Sequence, residues 1–346
     1  MQRQSFVFDV VIAGGGPAGL SAALLLGRCR RRVLLCDTGR PRNLRSRALH
    51  GYLSRDGVAP LELLRIGREE LRGYGIERRD VAIEDVQRAA DGFNVRLATG
   101  EHVPALTVLL ATGVADHLPE VPGLDECYGI SVHHCPYCDG WEHRDTTIAV
   151  IGDGTSPAGL ALSLKTWSDR VIACTHGRRV TPRQRARLAA QHIELYTQRI
   201  ARIEHDAGHV QAIVFAGSEP LADRRSGTRP RVGRDPRSGP GAVDPLRDSG
   251  DLRIACEAIF FTAPQSQQCE LAERLGCEFT SKGTVRTDHL GKTCVDGIYV
   301  VGDASRDVQF AIVAAAEGAK AAVAINKALQ ARVGLAVEAE VATTRA

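Results

Sequence analysis

A chain of 346 residues is longer than one hydrophobic core usually supports, so about two domains are expected. With 44% hydrophobic and 25% charged residues, and a net charge of +3 from 44 basic and 41 acidic side chains, the composition is that of a soluble globular protein and gives no reason to invoke nucleic acid or membrane. No apolar run approaches the ~20 residues that span a bilayer, residues 1–9 lack the order of a signal peptide, and ten cysteines, scattered but for one close pair, do not make a secreted scaffold, so the cytoplasm is the expected compartment.

Residues 6–13, rich in valine and phenylalanine, read as a buried strand. Gly14-Gly15-Gly16-Pro17-Ala18-Gly19 follows, then an apolar helix over 20–26 and a second strand over 32–36 that ends on Asp37. Gly14, Gly16 and Gly19 form G-x-G-x-x-G between strand and helix. These glycines allow a tight turn and let the backbone, with Pro17 and Ala18, approach a pyrophosphate on the helix N-terminus. Asp37, about twenty residues on, is placed to bond a ribose hydroxyl.

Residues 39–56 are basic and loop-like, contain Arg42-Asn43 and His50-Gly51, and are expected to skirt the dinucleotide. An amphipathic helix is expected over 61–74 and short strands over 76–95. A buried strand over 107–110 stops at Ala111-Thr112-Gly113, where backbone can touch a bound dinucleotide. Two prolines and a glycine in 119–123 suit a linker between domains.

The chemistry is expected at His133-His134-Cys135-Pro136-Tyr137-Cys138-Asp139-Gly140. Two cysteines at i and i+3 share one helix face, Pro136 suits the first helical position, and a thiol at a helix N-terminus is made more acidic. Asp139 adds a carboxyl group beside the second sulfur. The spacing alone also allows two unpaired buried cysteines, or a zinc site completed by His134 and His143. The dinucleotide context on both sides already accounts for the pair, so no metal is expected.

A second strand–turn–helix unit follows: a strand over 147–151, Gly152-Asp153-Gly154-Thr155-Ser156-Pro157, a helix over 158–164 and a strand over 171–174. Gly152 and Gly154 are its candidate nucleotide residues. No acid ends its second strand; Arg178 and Arg179 stand there instead, favouring a 2′-phosphate and therefore NADP. The alternative is a retained fold with a dead nucleotide site. Residues 218–250, dense in Arg, Asp, Pro, Gly and Ser, are expected to form a disordered insertion. One strand is expected over 254–262 and another over 297–301, ending on Gly302-Asp303, before a helix over 310–329. Asp303 could bind a polyol hydroxyl or cap a helix.

These motifs, in this order, resemble the low-molecular-weight thioredoxin reductase family, and Cys135-x-x-Cys138-Asp139-Gly140 is the specific element. The resemblance implies an α/β protein of two Rossmann-like dinucleotide-binding domains. A discontinuous FAD domain (1–117 and 265–333) would hold an inserted NAD(P)-type domain (118–264), followed by a tail (334–346). It implies FAD and NADPH as cofactors, Cys138 against the flavin, Cys135 exchanging with the substrate disulfide, Asp139 as proton carrier, Asp303 on the ribityl chain, and a homodimer.

The chain departs from the family pattern at several places. His-Arg-Arg becomes His176-Gly177-Arg178-Arg179, the alanine after Ser156 is Pro157, and Ile-Gly-x-x-Pro is replaced by Thr262-Ala263-Pro264-Gln265. The Arg-Gln pair before the last helix reads Gln309-Phe310, which takes its place among the cofactor-binding candidates. Arg42-Asn43, His50-Gly51, Asp56-Gly57 and the Cys-Pro-Tyr-Cys core resemble the branch of FAD-dependent dithiol oxidases that close disulfides in small natural products such as gliotoxin and holomycin. That branch would make His50 a base for a substrate thiol and oxygen an electron acceptor. The expected partner is a thioredoxin-like protein or a small dithiol or disulfide. A flavin-binding redox sensor with little turnover is the reading from another class.

Overall fold

Side chains of the strand Phe8–Ala13 alternate from Val10 on between two apolar clusters, Val10 and Ile12 in one and Val11 and Ala13 in the other. A strand buried on both faces belongs in the middle of a parallel sheet covered on both sides. The computed structural model, which describes residues 8–152, 157–217, 246–248, 251–262, 264–305 and 308–335, places it there. The chain divides into two compact units. Unit 1 comprises residues up to 44, 51–115 and from 265 on; unit 2 comprises 45–50 and 116–264.

In unit 1 the parallel strands run in the order Glu77–Arg79, Val33–Cys36, Phe8–Ala13, His102–Leu110, and Ile298–Val300 pairs with the last of these. The Ile83–Ala89 and Gly92–Leu97 hairpin continues the sheet antiparallel to the first half of His102–Leu110. Helices Pro17–Arg28 and Ala311–Arg332 bury Ala22, Leu26, Ala321 and Ile325 against the Val10 and Ile12 face. They approach closely because Gly318 has no side chain: a Cβ there would lie 2.0 Å from the Ala18 carbonyl oxygen. The helix expected over 61–74 is Pro60–Leu71, its last turn tightening to a 3₁₀ turn over Arg72–Tyr74 before Gly75 (φ +67°) ends it.

Unit 2 has a parallel sheet in the order Glu194–Tyr196, Val171–Cys174, Ile148–Gly152, Ala258–Thr262, Val132–His133. Helices Ala158–Leu164 and Pro182–Ala190 cover one face through Ala158, Ala161, Leu164 and Leu188. An antiparallel sheet of Ile200–Asp206, His209–Phe215, Asp251–Ala255 and Leu246–Asp248 supplies Ile203, Ile213, Phe215 and Ile254 to the cluster on the other.

Three expectations are corrected. The single strand expected over 254–262 is two strands in different sheets. It breaks at Glu257, whose carboxylate accepts the Thr147 N–H at 2.8 Å and whose own N–H donates to the Thr147 carbonyl at 3.0 Å. The linker expected at 119–123 is packed into unit 2, with Val121 buried and the Pro122 carbonyl accepting the Ile203 N–H at 2.8 Å; the chain passes between units at 115/116. Within the stretch expected to be a disordered insertion, Leu246–Asp248 is a strand, its backbone paired with Asp251–Ala255. The remainder of that stretch (218–245 and 249–250), the turn at 153–156 that includes Gly154, and 336–346 of the expected tail lie outside the described residues. Among the described residues, no helix is long and apolar enough to cross a membrane.

Candidate active site

The glycine motif of unit 1 is a junction of backbones. Gly14 has φ +104°, and a Cβ on it would lie 2.3 Å from the Ala111 carbonyl oxygen, so the G-x-G-x-x-G turn and Ala111-Thr112-Gly113 meet directly. Gly302 (φ +72°) lies against Ala18, 3.2 Å from an added Cβ, and its N–H donates to Glu317 at 2.9 Å. Gly16 caps the Pro17–Arg28 helix without a side-chain hydrogen bond, the first turn carries no acid, and a Cβ on Gly16 would meet nothing within 4 Å. Open space at an uncapped helix N-terminus is the cradle a pyrophosphate requires.

Asp37 is buried at the end of its strand, accepting the Gly39 N–H at 3.2 Å and pairing with Arg68 at 3.0 Å. The Arg68 Nε is buried without a partner, an unused donor beside the ribose-binding candidate. Gly15 is needed here as well, since a Cβ would lie 2.5 Å from the Asp37 Oδ2. Asp303, in the 3₁₀ turn Gly302–Ala304, accepts from Arg42 Nη1 at 2.9 Å. The same nitrogen donates to Gln309 Oε1 at 2.6 Å, and Gln309 and Gln265 exchange amide hydrogen bonds at 2.8 and 3.0 Å. Asn43 is partly buried in the turn next to Arg42, and Phe310 occupies the N-cap position of Ala311–Arg332. This constellation fits FAD.

In unit 2, His133 ends the edge strand Val132–His133, and Cys135 is the N-cap of the one-turn helix Pro136–Asp139. The Cys135 carbonyl accepts the Cys138 N–H at 3.2 Å, and Cys135 and Cys138 form a disulfide with a Cα–Cα distance of 5.3 Å. Gly140 closes the turn where a Cβ would lie 2.4 Å from the Pro136 carbonyl oxygen and 2.8 Å from Trp167, so packing dictates the glycine after Asp139. Asp139 Oδ1 is 3.3 Å from His133 Nδ1, and His133 Nε2 is 3.0 Å from His143 Nε2. The His134 ring meets the Tyr128 hydroxyl at 3.2 Å, and that hydroxyl donates to Asp116 at 3.2 Å. His50 lies 3.4 Å from Glu142 in the same unit.

The remaining cysteines differ in kind. Burial pushes the Cys36 thiol up to about 12 and Cys127 up to about 11, and raises Cys174 and Cys256 as well. Protonated, enclosed thiols are poor nucleophiles.

The second nucleotide unit is described in part. Gly152 ends its strand, beside parallel neighbours on both sides, and Arg178 and Arg179 are exposed just beyond Val171–Cys174. His176 (φ +49°) is engaged in the fold, its Nδ1 accepting the Ile200 N–H at 3.1 Å.

Arg68 and Gly15 escaped the sequence reading, and so did the links of His133 to Asp139 and His143. The x of G-x-G-x-x-G and an arginine within an amphipathic helix carry no local signal of contact with an acid. The adjacent histidines before Cys135 were the one visible cue.

Among known proteins, the chain is 29% identical over 323 residues to "Probable thioredoxin reductase" of Arthroderma benhamiae, covering 87% of this chain and 74% of the relative. The crystal structure of HlmI is similar with a TM-score of 0.82 at 32% identity, covering 95% of this chain and 94% of that one. An oxidoreductase from Agrobacterium tumefaciens is similar with a TM-score of 0.77 at 32% identity, covering 94% and 99%. Residues 8–318 match the family described as pyridine nucleotide-disulphide oxidoreductase, whose members bind FAD and NAD(P)H. With an FAD-shaped cradle in one unit and a Cys-x-x-Cys disulfide in the other, the chain belongs to the pyridine nucleotide-disulphide oxidoreductases, as a thioredoxin reductase-like enzyme.

Proposed function

We propose that the chain is an FAD-dependent dithiol–disulfide oxidoreductase that exchanges electrons between flavin, the Cys135–Cys138 pair and a thiol or disulfide substrate, with NADPH as reductant. The observation that carries this reading is the disulfide at the start of Pro136–Asp139, with Asp139 next to Cys138 in the same turn, while burial holds other thiols of the chain protonated. Unit 1 is the FAD domain, through Gly14, Gly16, Gly19, Asp37, Ala111, Thr112, Gly113, Gly302 and Asp303. Unit 2 is the NAD(P)-type domain, with Arg178 and Arg179 as the 2′-phosphate contacts. The enzyme works as a cytoplasmic homodimer.

FAD, when bound, supplies or accepts the electron pair. The protein's own steps are thiol–disulfide exchange and proton transfer. Reduced, the pair attacks a substrate disulfide through the Cys135 thiolate; the substrate S–S bond breaks, and Cys138 resolves the mixed disulfide and re-forms the Cys135–Cys138 bond. Asp139 donates the proton that the departing substrate thiolate takes up. In the opposite direction a substrate thiolate opens the Cys135–Cys138 bond, and Asp139 accepts the proton.

The run His176-Gly177-Arg178-Arg179, displaced by one residue from the family's His-Arg-Arg, supports a second reading, a small-molecule dithiol oxidase with oxygen as acceptor. There His50, oriented by Glu142, removes a proton from the substrate thiol. Anaerobic stepwise reduction tests the shared chemistry. A half-reduced form with a thiolate-to-flavin charge-transfer band that is lost in Cys138→Ser is expected; an unchanged spectrum in that variant overturns the inner-sulfur assignment. Rapid flavin reduction by NADPH excludes the oxidase-only reading. Fast oxidation of dithiols by oxygen with no response to NADPH or NADH excludes the reductase.

A further inference from the structure

Three titratable side chains form a line through unit 2: Asp139 Oδ1 to His133 Nδ1 at 3.3 Å, then His133 Nε2 to His143 Nε2 at 3.0 Å. The two histidines have different surroundings. His133 is enclosed, its side chain 7% exposed, and packs on Phe260 with ring centroids 5.5 Å apart. His143 stands edge-on to the same phenylalanine, at 6.2 Å, and is partly exposed. We propose that His133 and His143 form a two-histidine relay that conducts protons between Asp139 and the surface of unit 2. The proposal rests on the reading of Cys135–Cys138 as the exchanging disulfide.

Two facing Nε2 atoms at hydrogen-bond distance share one proton, so one ring donates and the other accepts. In the first arrangement His133 Nε2–H donates to His143 Nε2, and the open His133 Nδ1 accepts a proton from the Asp139 carboxyl. That transfer leaves Asp139 ionised, passes the Nε2 proton on to His143, and lets His143 release its Nδ1 proton. In the second arrangement His133 Nδ1–H donates to the Asp139 carboxylate and His143 Nε2–H donates back to His133. One proton has left Asp139 and one has left His143, with no net change on the rings. Rotation of the two protonation patterns in reverse delivers a proton to Asp139.

His143 suits the outer position. Burial, then His133 and His209, lower its pKa to about 4 against a raising effect of Asp139, so it passes a proton on and does not store it. Asp139, His133 and His209 are the titratable groups that act on it, and Phe260 of the strand beneath adds no charge. During exchange a substrate dithiol that reduces Cys135–Cys138 gives up two protons as its own S–S bond forms, and the protein's two sulfurs take up the electron pair. One proton ends on the Cys135 thiol; the other, matched by the Cys138 thiolate, leaves through Asp139, which is charged and discharged once per cycle. His133 and His143 act through Asp139 and are positioning residues.

The test uses the full chain and dithiothreitol as the dithiol, with reduction of Cys135–Cys138 followed by rapid quench, alkylation and mass measurement, independent of the flavin signal. His143→Gln is expected to slow exchange by ~10-fold, at the low end of proton-transfer effects. It should also shift the pH–rate profile and be restored by added imidazole. His133→Asn keeps a donor toward Asp139 while cutting the link to His143. It should show the same loss, and the double variant should be no slower than either single one, as for steps in series. Wild-type rates in both variants overturn the relay. So do losses that imidazole does not restore with an unshifted pH profile, or losses that multiply in the double variant. Failure of the wild type itself to exchange with dithiothreitol overturns the reading of the disulfide, a distinct result.

Discussion

Arg42 and Asp303 are 261 positions apart in sequence and joined at 2.9 Å, with only 15% and 20% of their side chains exposed. The pair ties the loop after the second strand to the turn before the last helix, and Gln309 shares the same guanidinium nitrogen. Removing the cation leaves a half-enclosed carboxylate. Arg42→Leu is therefore expected to lose about 1–3 kcal/mol, the range for leaving a buried acceptor unsatisfied. It should also purify with less FAD per chain, as read from flavin absorbance against protein concentration. Full flavin content with an unchanged melting midpoint would separate Arg42 from the cofactor site.

Gly14 is the position at which the first turn tolerates least. Gly14→Ala places a methyl 2.3 Å from the Ala111 carbonyl oxygen at φ +104°. Expected is a destabilisation of about 3 kcal/mol, at the upper end of overpacking, with loss of bound flavin. Gly39→Ala is the control. It also carries positive φ (+70°), but a Cβ there meets nothing within 4 Å, so only the backbone cost of about 1 kcal/mol remains. Chemical denaturation of both variants measures the difference.

His143 sets a pH dependence of stability with a defined sign. Its folded pKa lies near 4, below the ordinary 6.5, chiefly because burial disfavours the charged ring. Between those values the unfolded chain binds a proton that the folded chain does not, so this contribution is present above pH 6.5 and is lost as pH falls toward 4. Melting midpoints should decline through that window, and less steeply in His143→Gln. Parallel declines would assign the effect to other groups.

Thiol labelling should separate the redox pair from the core. After reduction, alkylation near neutral pH should reach Cys135, Cys138 and the exposed Cys29 and Cys294 first. Raising Cys36 from 9.0 to about 12 lowers its thiolate fraction roughly 1000-fold, and its burial adds to the delay. Peptide-resolved mass spectrometry over a time course reads the order. Early labelling of Cys36 or Cys174 would show that unit opening locally.

The parallel cores and the glycine turn were legible in sequence because each is a local pattern: the stretch 10–13 is continuously apolar, and Gly14, Gly16 and Gly19 stand at fixed spacing. The end of the apolar run over 258–262 was legible as well, but its beginning was not. Ile254 and Ile259 are both apolar, and the division shows only in tertiary pairing: Ile254 lies beside Ile213, Ile259 beside Ala149, and Glu257 between them bonds Thr147. The same reasoning holds at the site. Cys135, Cys138 and Asp139 are neighbours in sequence, whereas Asp37 with Arg68, Arg42 with Asp303, and His133 with His143 meet through tertiary packing. Sequence spacing suggested His143 as a zinc ligand with His134; packing turns its ring to His133 and the His134 ring to Tyr128.

The strand Ile298–Val300, which pairs with the second half of His102–Leu110, orders events during biosynthesis. All of unit 2 has been translated by residue 264, while the sheet of unit 1 is still missing a member and the last helix that covers it. Domains generally fold as units during synthesis. The housing of the disulfide therefore closes on the ribosome first, and the nascent first strands wait, with an open sheet edge and an uncovered apolar face, until the chain beyond residue 300 arrives.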